Sequence, residues 1–99
     1  MQDRDSTLPV LRVFPDYMAD PVWNEEGAMV DTGHLPISNG LRIDLRTWRQ
    51  EWEDLLGVAV SRYSIVDETA HQEWQARGRG LTKRLQDQLA GRATVIYEP

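Results

Sequence analysis

The chain has 99 residues, with 16 Asp and Glu against 11 Lys and Arg, a formal net charge of -5 and no cysteine. That length suits one core of the usual size, about 100 to 150 residues, and leaves no room for a large internal substrate cavity. The missing cysteines exclude a disulfide framework and a thiolate metal site and fit a cytoplasmic setting, while the acidity weighs against nucleic acid and anionic membranes, which repel such a chain as a whole.

Residues 1–7, Met-Gln-Asp-Arg-Asp-Ser-Thr, are polar and carry no apolar run, so a flexible N-terminus without a secretory signal is expected. Leu8 to Phe14 is short, rich in large apolar and β-branched side chains and stopped by Pro15, which predicts a strand with Pro9 at or outside its start. From Asp16 to Ile37, Asp20-Pro21, Asn24, Gly27, Gly33 and Leu35-Pro36 interrupt every candidate period. This predicts a long ordered acidic loop, with Ala28-Met29-Val30 as a candidate short strand. The first 37 residues hold 7 acids and 2 bases, whereas the rest of the chain is balanced, so all of the net charge lies on this side of Ser38. Tyr17, Val22, Trp23, Met29 and Leu35 give the loop apolar surface with which to pack.

Ser38 or Asn39 supplies an N-cap for a helix whose apolar positions Leu41, Leu45, Trp48, Trp52 and Leu55 share one face, ended by Gly57. Its other face, with Arg42, Asp44, Arg46, Arg49, Glu51 and Glu53, reads as an ordinary solvated surface. Val58 to Val66 reads either as a third strand or as an extended connection. Asp67 caps a second helix with the stripe Trp74, Gly78, Leu81, Leu85 and Leu89, running to Gly91 at its C-cap. Gly78 lies in the stripe, where close approach of another backbone explains a glycine that costs a helix about 1 kcal/mol. Ala93 to Tyr97 predicts a last strand beside the first. The fold class is therefore α+β, a single domain over residues 8–99, with two helices on a small sheet of two to four strands.

Catalytic patterns are sparse. No Gly-x-Ser-x-Gly elbow occurs, and His34 and His71 lie in unrelated contexts. Asp16, Asp20, Glu25, Glu26, Asp31 and His34 offer hard ligands, but their spacing matches no calcium loop and no His-x-x-x-His pair exists, so neither metal nor cofactor is expected. Arg77, Arg79, Lys83 and Arg84 form the one basic cluster, spread around a helix.

Pro15-Asp16-Tyr17, Pro21-Val22-Trp23, Leu35-Pro36-Ile37-Ser38, Leu41, Trp48, Trp52, Gly78, Leu81, Leu85 and Val95-Ile96-Tyr97 carry a resemblance that covers most of the chain. It resembles a group of short, uncharacterised bacterial proteins with Asp-Tyr-x-x-x-Pro-Leu-Trp and Leu-Pro-Leu-Ser motifs. Here Val22 replaces the usual Leu, and Arg77 precedes Gly78 where the group often has Glu. Size, acidity and absence of catalytic motifs are similar, by analogy of class, to immunity proteins of bacterial toxin systems. The expectation is a non-enzymatic protein-binding module of immunity or antitoxin type. Asp16, Tyr17, Met18, Asp20, Trp23, Glu25 and Glu26 would meet a protein partner with a basic surface, such as a toxin domain. The alternatives are a homodimeric accessory or regulatory protein paired through an edge strand, and a small carboxylate- or metal-dependent hydrolase in which two or more of Asp16, Asp20 and Asp31 converge with a raised pKa.

Overall fold

Strand β1 (Val10–Val13) is the middle of a 3-stranded mixed sheet in the computed structural model, which describes residues 8–98; the predicted flexible N-terminus lies outside the described residues. Strand β2 (Val22–Trp23) pairs antiparallel to β1, placing Arg12 opposite Trp23 and Val13 opposite Val22. Strand β3 (Thr94–Tyr97) pairs parallel to β1, with Leu11 opposite Val95 and Val13 opposite Tyr97. Between β2 and β3 the chain makes helix α1 (Asn39–Leu56) and helix α2 (Glu68–Gln88), which cover one face of the sheet. Alternation along the strands sends Leu11, Val13, Val22, Val95 and Tyr97 to the helices and Arg12, Trp23 and Ile96 to the outer face. The expected α+β fold of two helices on a small sheet is the one observed.

Helix α1 begins at Ser38, whose hydroxyl accepts the Leu41 N–H, and ends at Gly57 in the left-handed region at φ 73°. Asp67 caps α2 by accepting the Ala70 N–H. The second boundary differs from expectation: α2 ends at Gln88 with Leu89 as its cap, and Gly91, at φ 81°, serves the following turn instead. Leu89 is buried, so the chain leaves the helix once its last apolar side chain is in the core. The Val58 to Val66 segment is neither strand nor extended: it makes a 3-10 turn over Val58–Val60, then places Ser61 and Tyr63 in the left-handed region. The cause is local, because the Gly57 carbonyl accepts both the Val60 and Arg62 N–H groups and curls the chain back on the helix end.

Where the helices meet, the rings of Trp48 and Trp74 stack with centroids 4.4 Å apart and planes 1° from parallel. The Trp48 indole N–H donates to the Trp74 carbonyl at 2.9 Å, and the Trp74 indole N–H donates to the Trp48 carbonyl at 2.7 Å. Each buried donor is thus satisfied by the backbone beneath its partner's ring, avoiding a penalty of about 1 to 3 kcal/mol per orphaned group. Gly78 lies directly below this pair. A Cβ there would lie 2.5 Å from Trp48 Cζ2 and closer still to the Tyr97 hydroxyl, so side chains, not a neighbouring backbone, require the glycine. Tyr97 donates to the Gln75 carbonyl, and burial, slightly offset by Arg79, pushes its phenol pKa up to about 12. The ends of the helix pair are tied by Gln88, which bonds the Ser38 N–H at 2.7 Å and the Ser38 hydroxyl at 3.2 Å.

The segment between β1 and α1 is ordered as expected, but β2 divides it. Phe14 N–H donates to the Pro21 carbonyl and Val30 N–H to that of Val22, while Met29 makes only an isolated bridge to Trp23, short of the expected strand. At its base, Asp20 accepts the Thr32 N–H and hydroxyl, each at 2.9 Å, and pairs with Arg46 of α1 at 3.2 Å. Desolvation, the largest influence, pushes the Asp20 carboxyl up. The Thr32 N–H, the Arg46 guanidinium and the Thr32 hydroxyl together outweigh it and hold the pKa below the ordinary carboxylate value.

Gly78→Ala is expected to lower stability by about 2 kcal/mol, because overpacking outweighs the gain of about 1 kcal/mol in helix propensity. Gly80→Ala, where a Cβ meets nothing within 4 Å, is expected to gain up to about 1 kcal/mol, and urea unfolding of the pair reads the opposite signs. Asp20→Asn is expected to cost roughly 1.5 to 3 kcal/mol at neutral pH. Since the folded pKa of Asp20 is depressed, its contribution is full above the unfolded value of about 3.9 and is lost as pH falls through the lower folded value. Unfolding midpoints of wild type and variant should therefore converge in acid.

Candidate functional site

The loop residues singled out by the sequence divide into three groups. At the tip, Asp16, Tyr17 and Met18 lie against the C-terminal half of α1: Asp16 accepts the Tyr17 N–H at 2.7 Å, and Met18 N–H donates to Glu53 at 3.3 Å. The Tyr17 ring sits 4.8 Å from that of Trp52. Tyr17 stays 46% exposed and Met18 90% exposed, the latter at φ 53°, a left-handed conformation that an unbranched side chain tolerates only at some cost.

Asp20 forms the second group by itself. Its carboxylate is turned inward onto Thr32 and Arg46 and holds the loop from below. The third group lies at the other end of the β1–β2 pair, because antiparallel pairing carries the chain back toward Val10. There Asn24 accepts the Glu26 and Ala28 N–H groups in a tight turn that displays Glu25 and Glu26 to solvent, with Glu25 3.4 Å from the Val10 N–H. Trp23 sits between the groups on the outer sheet face. It is half-buried, stacked on Phe14 at 4.8 Å with planes 5° apart, and its indole donates to the Phe14 carbonyl at 3.0 Å.

The helix face opposite the core is no ordinary solvated surface. Arg42, Arg46 and Arg49 are spaced to fall on one side of α1, and each is engaged with the loop or its support. Arg42 donates to the Thr32 carbonyl at 2.9 Å and the Leu35 carbonyl at 2.8 Å. Arg46 reaches Asp20 at 3.2 Å and Asp31 at 3.7 Å, and Arg49 pairs with Glu53, the acceptor of the Met18 N–H. Asp20 raises the Arg46 guanidinium pKa by hydrogen bond and charge. The like-signed pair Arg42 and Arg46, one turn apart, is tolerated because the segment before α1 supplies carbonyl acceptors to the first and carboxylates to the second. A groove of about 600 Å³ runs between Arg46, Arg49 and the loop, lined by Met18, Met29 and Gln50 among others.

That arrangement does not suit carboxylate chemistry. Asp20 and Asp31 do converge, but around a guanidinium, and the Thr32 N–H together with that guanidinium favours the ionised form of Asp20, whereas an acid–base pair needs one carboxyl held protonated. Asp16 is spent on its own loop. Among the described residues no group of 3 or more His, Cys, Asp and Glu is arranged to hold a metal ion. His34 is exposed beside Asp31, and His71 stacks on Trp74 at 5.9 Å.

The basic cluster of α2 is largely paired. Arg77 meets Glu51 at 3.0 Å, Arg84 meets Asp44 at 2.8 Å, Lys83 meets Asp87 at 3.5 Å, and Arg79 lies 5.9 Å from the Tyr97 ring centroid. The two bridges to α1 wall a groove of about 380 Å³ over Trp48 and Leu81. No helix of the described residues is long and apolar enough to cross a membrane.

Tyr63 is the exposed aromatic that carries no sequence signal. Its position depends on the curled connection after α1, and its ring lies 6.4 Å from that of Tyr17. The dock on α1 did leave a trace, in the like-signed Arg42–Arg46 pair beside a segment holding all the net negative charge.

No curated protein sequence matches the chain significantly. Because the match of a family model spans residues 9–99, and meets the immunity-protein likeness suggested by size, acidity and motifs, the chain belongs to the Serratia CdiI immunity protein-like family.

Proposed function

We propose that this chain is an immunity protein that binds a toxin domain carrying a basic surface, using the acidic aromatic loop as its contact. The domain is non-enzymatic, in keeping with its family. One observation carries the reading: Tyr17 and Met18 are held out to solvent on a loop whose base is pinned by Asp20 and Arg46, with Asp16, Glu25 and Glu26 left outside every ion pair among the described residues. Exposed large apolar side chains on a fixed backbone lose little freedom on binding, which suits them to anchor a partner.

The seven loop residues then act in different ways. Tyr17 and Met18 fill hollows on the partner. Asp16, Glu25 and Glu26 set the negative potential that draws in a cationic surface. Asp20 acts from underneath by fixing the loop, and Trp23 stiffens the sheet edge on which Glu25 and Glu26 are displayed. The partner is a protein with clustered Lys and Arg, as on a toxin that itself handles a polyanion.

Stopped-flow association with the protein encoded by the gene adjoining this chain's tests the reading. The rate is expected to fall steeply with salt, and Glu25→Lys with Glu26→Lys to slow association about ten-fold at low ionic strength while leaving dissociation unchanged. No complex with that protein, or an association rate indifferent to both salt and charge reversal, refutes it.

A further inference from the structure

We infer that the centre of the contact lies at the α1–α2 end of the molecule, where the loop tip meets the connection between the helices, and that Tyr63 is its principal anchor for a cationic partner protein. This rests on the binding role proposed above and adds a segment of chain that the loop alone does not include. Three aromatic rings from separate segments converge there: Tyr17 lies 4.8 Å from Trp52 and 6.4 Å from Tyr63. Trp52 is half-buried, but Tyr63 is 57% exposed and Met18 beside Tyr17 is 90% exposed, so the cluster presents one apolar patch built from three parts of the sequence.

Backbone conformation gives an independent indication. Met18 at φ 53°, Ser61 at φ 58° and Tyr63 at φ 54° are the non-glycine residues in the left-handed region among the described residues, and all are at this end. Such conformations persist only where the surroundings over-determine them, and they concentrate at binding sites. The surroundings here do so. Arg62 donates to the Leu55 carbonyl at 2.7 Å and the Ser64 carbonyl at 2.9 Å, and Ser64 N–H donates to the Leu56 carbonyl at 3.0 Å. The connection is thereby clamped to the open end of α1, with the Tyr63 ring directed toward Tyr17 rather than into the core.

Charge names the occupant. Asp16, Glu53, Asp54, Asp67 and Glu68 at this end outnumber the guanidiniums of Arg49 and Arg62. Both guanidiniums are already committed, Arg49 to Glu53 and Gln50, Arg62 to backbone carbonyls. Glu53 and Asp54 also stand in the last turn of α1, which has no basic residue, although the negative end of a helix disfavours acids. With Glu53 paired to Arg49, Asp16, Asp54, Asp67 and Glu68 still leave this end of the molecule negative, and an apolar patch there fits a protein surface of Lys and Arg around a hydrophobic hollow.

Tyr63→Gly isolates the ring, since glycine prefers the φ that tyrosine occupies and the fold should be kept or stabilised. Tyr63→Asn, which also tolerates this conformation, is the second variant. Thermal midpoints at or above wild type, with dissociation from the protein encoded by the adjoining gene accelerated by about 30-fold or more, are expected. If wild type binds and both variants dissociate at its rate, the inference falls while the proposed function stands. If wild type itself does not bind, the proposed function falls and takes the inference with it. If wild type self-associates and both variants are monomeric, the face belongs to a second copy and the inference is overturned.

Discussion

The exchange of indole hydrogen bonds between Trp48 and Trp74 is the contact on which the other distances depend. Stacked rings alone would permit the helices to slide, because dispersion between flat surfaces has little directionality. Two N–H groups, each aimed at the carbonyl beneath the opposite ring, fix rotation and register together. The exchange also fixes sequence at a third site, since the rings lie so close to α2 that only glycine fits at position 78. Tyr97 fills the remaining side of that space, and its strand pairs with β1. Helix spacing, the helical glycine and the place of β3 are therefore one constraint expressed at several positions.

With α1 fixed, its outward face becomes a template for the acidic segment. Arg42, Arg46 and Arg49 succeed one another along the helix and meet, in order, the carbonyls of Thr32 and Leu35, the carboxylates of Asp20 and Asp31, and the Glu53 that holds Met18. Exposed ion pairs contribute about 0 to 1 kcal/mol apiece, so their sum is modest. Their larger effect is to select one conformation for a segment without periodic structure. This sorts the negative charge by role: Asp20 and Asp31 are structural counter-ions, and Asp16, Glu25 and Glu26 remain on display.

Much of the scaffold was legible in the sequence because it is written in periodicity and caps. Leu41, Leu45 and Trp48 mark the inner face of α1, Ser38 and Gly57 mark its ends, and Trp74, Leu81 and Leu85 mark α2. Three things were not legible, each for a physical reason. β2 has 2 residues, too short for alternation to register, and exists through pairing with distant β1. The stretch after Gly57 has β-branched residues at strand spacing, but a local hydrogen-bond pattern at the helix end overrides that preference. The face of Arg42 and Arg46 looked solvated because a helix read by itself cannot show what docks on it. At the candidate site, the identity of the loop residues was visible, but their division between tip, base and far turn was not. That division follows from the antiparallel return at β2.

A loop that must recognise a partner faces a conflict: its apolar side chains gain most by being exposed in the complex-ready form, yet exposed apolar residues tend to collapse onto the nearest core. In this fold the core is already closed by the Trp48–Trp74 pair, so Tyr17 finds beneath it only the margin of Trp52. Met18 is denied collapse by its own backbone, fixed in the left-handed region by the hydrogen bond to Glu53. The same logic applies across the gap at Tyr63, where Arg62 spends its guanidinium on helix-end carbonyls and leaves the neighbouring ring outside. Ordering is thus completed during folding, and the binding proposed for this surface need not supply it again. Display of a few side chains on a hydrogen-bonded backbone, beside helices already locked together by the Trp48–Trp74 exchange, is how a chain of this size presents a defined surface.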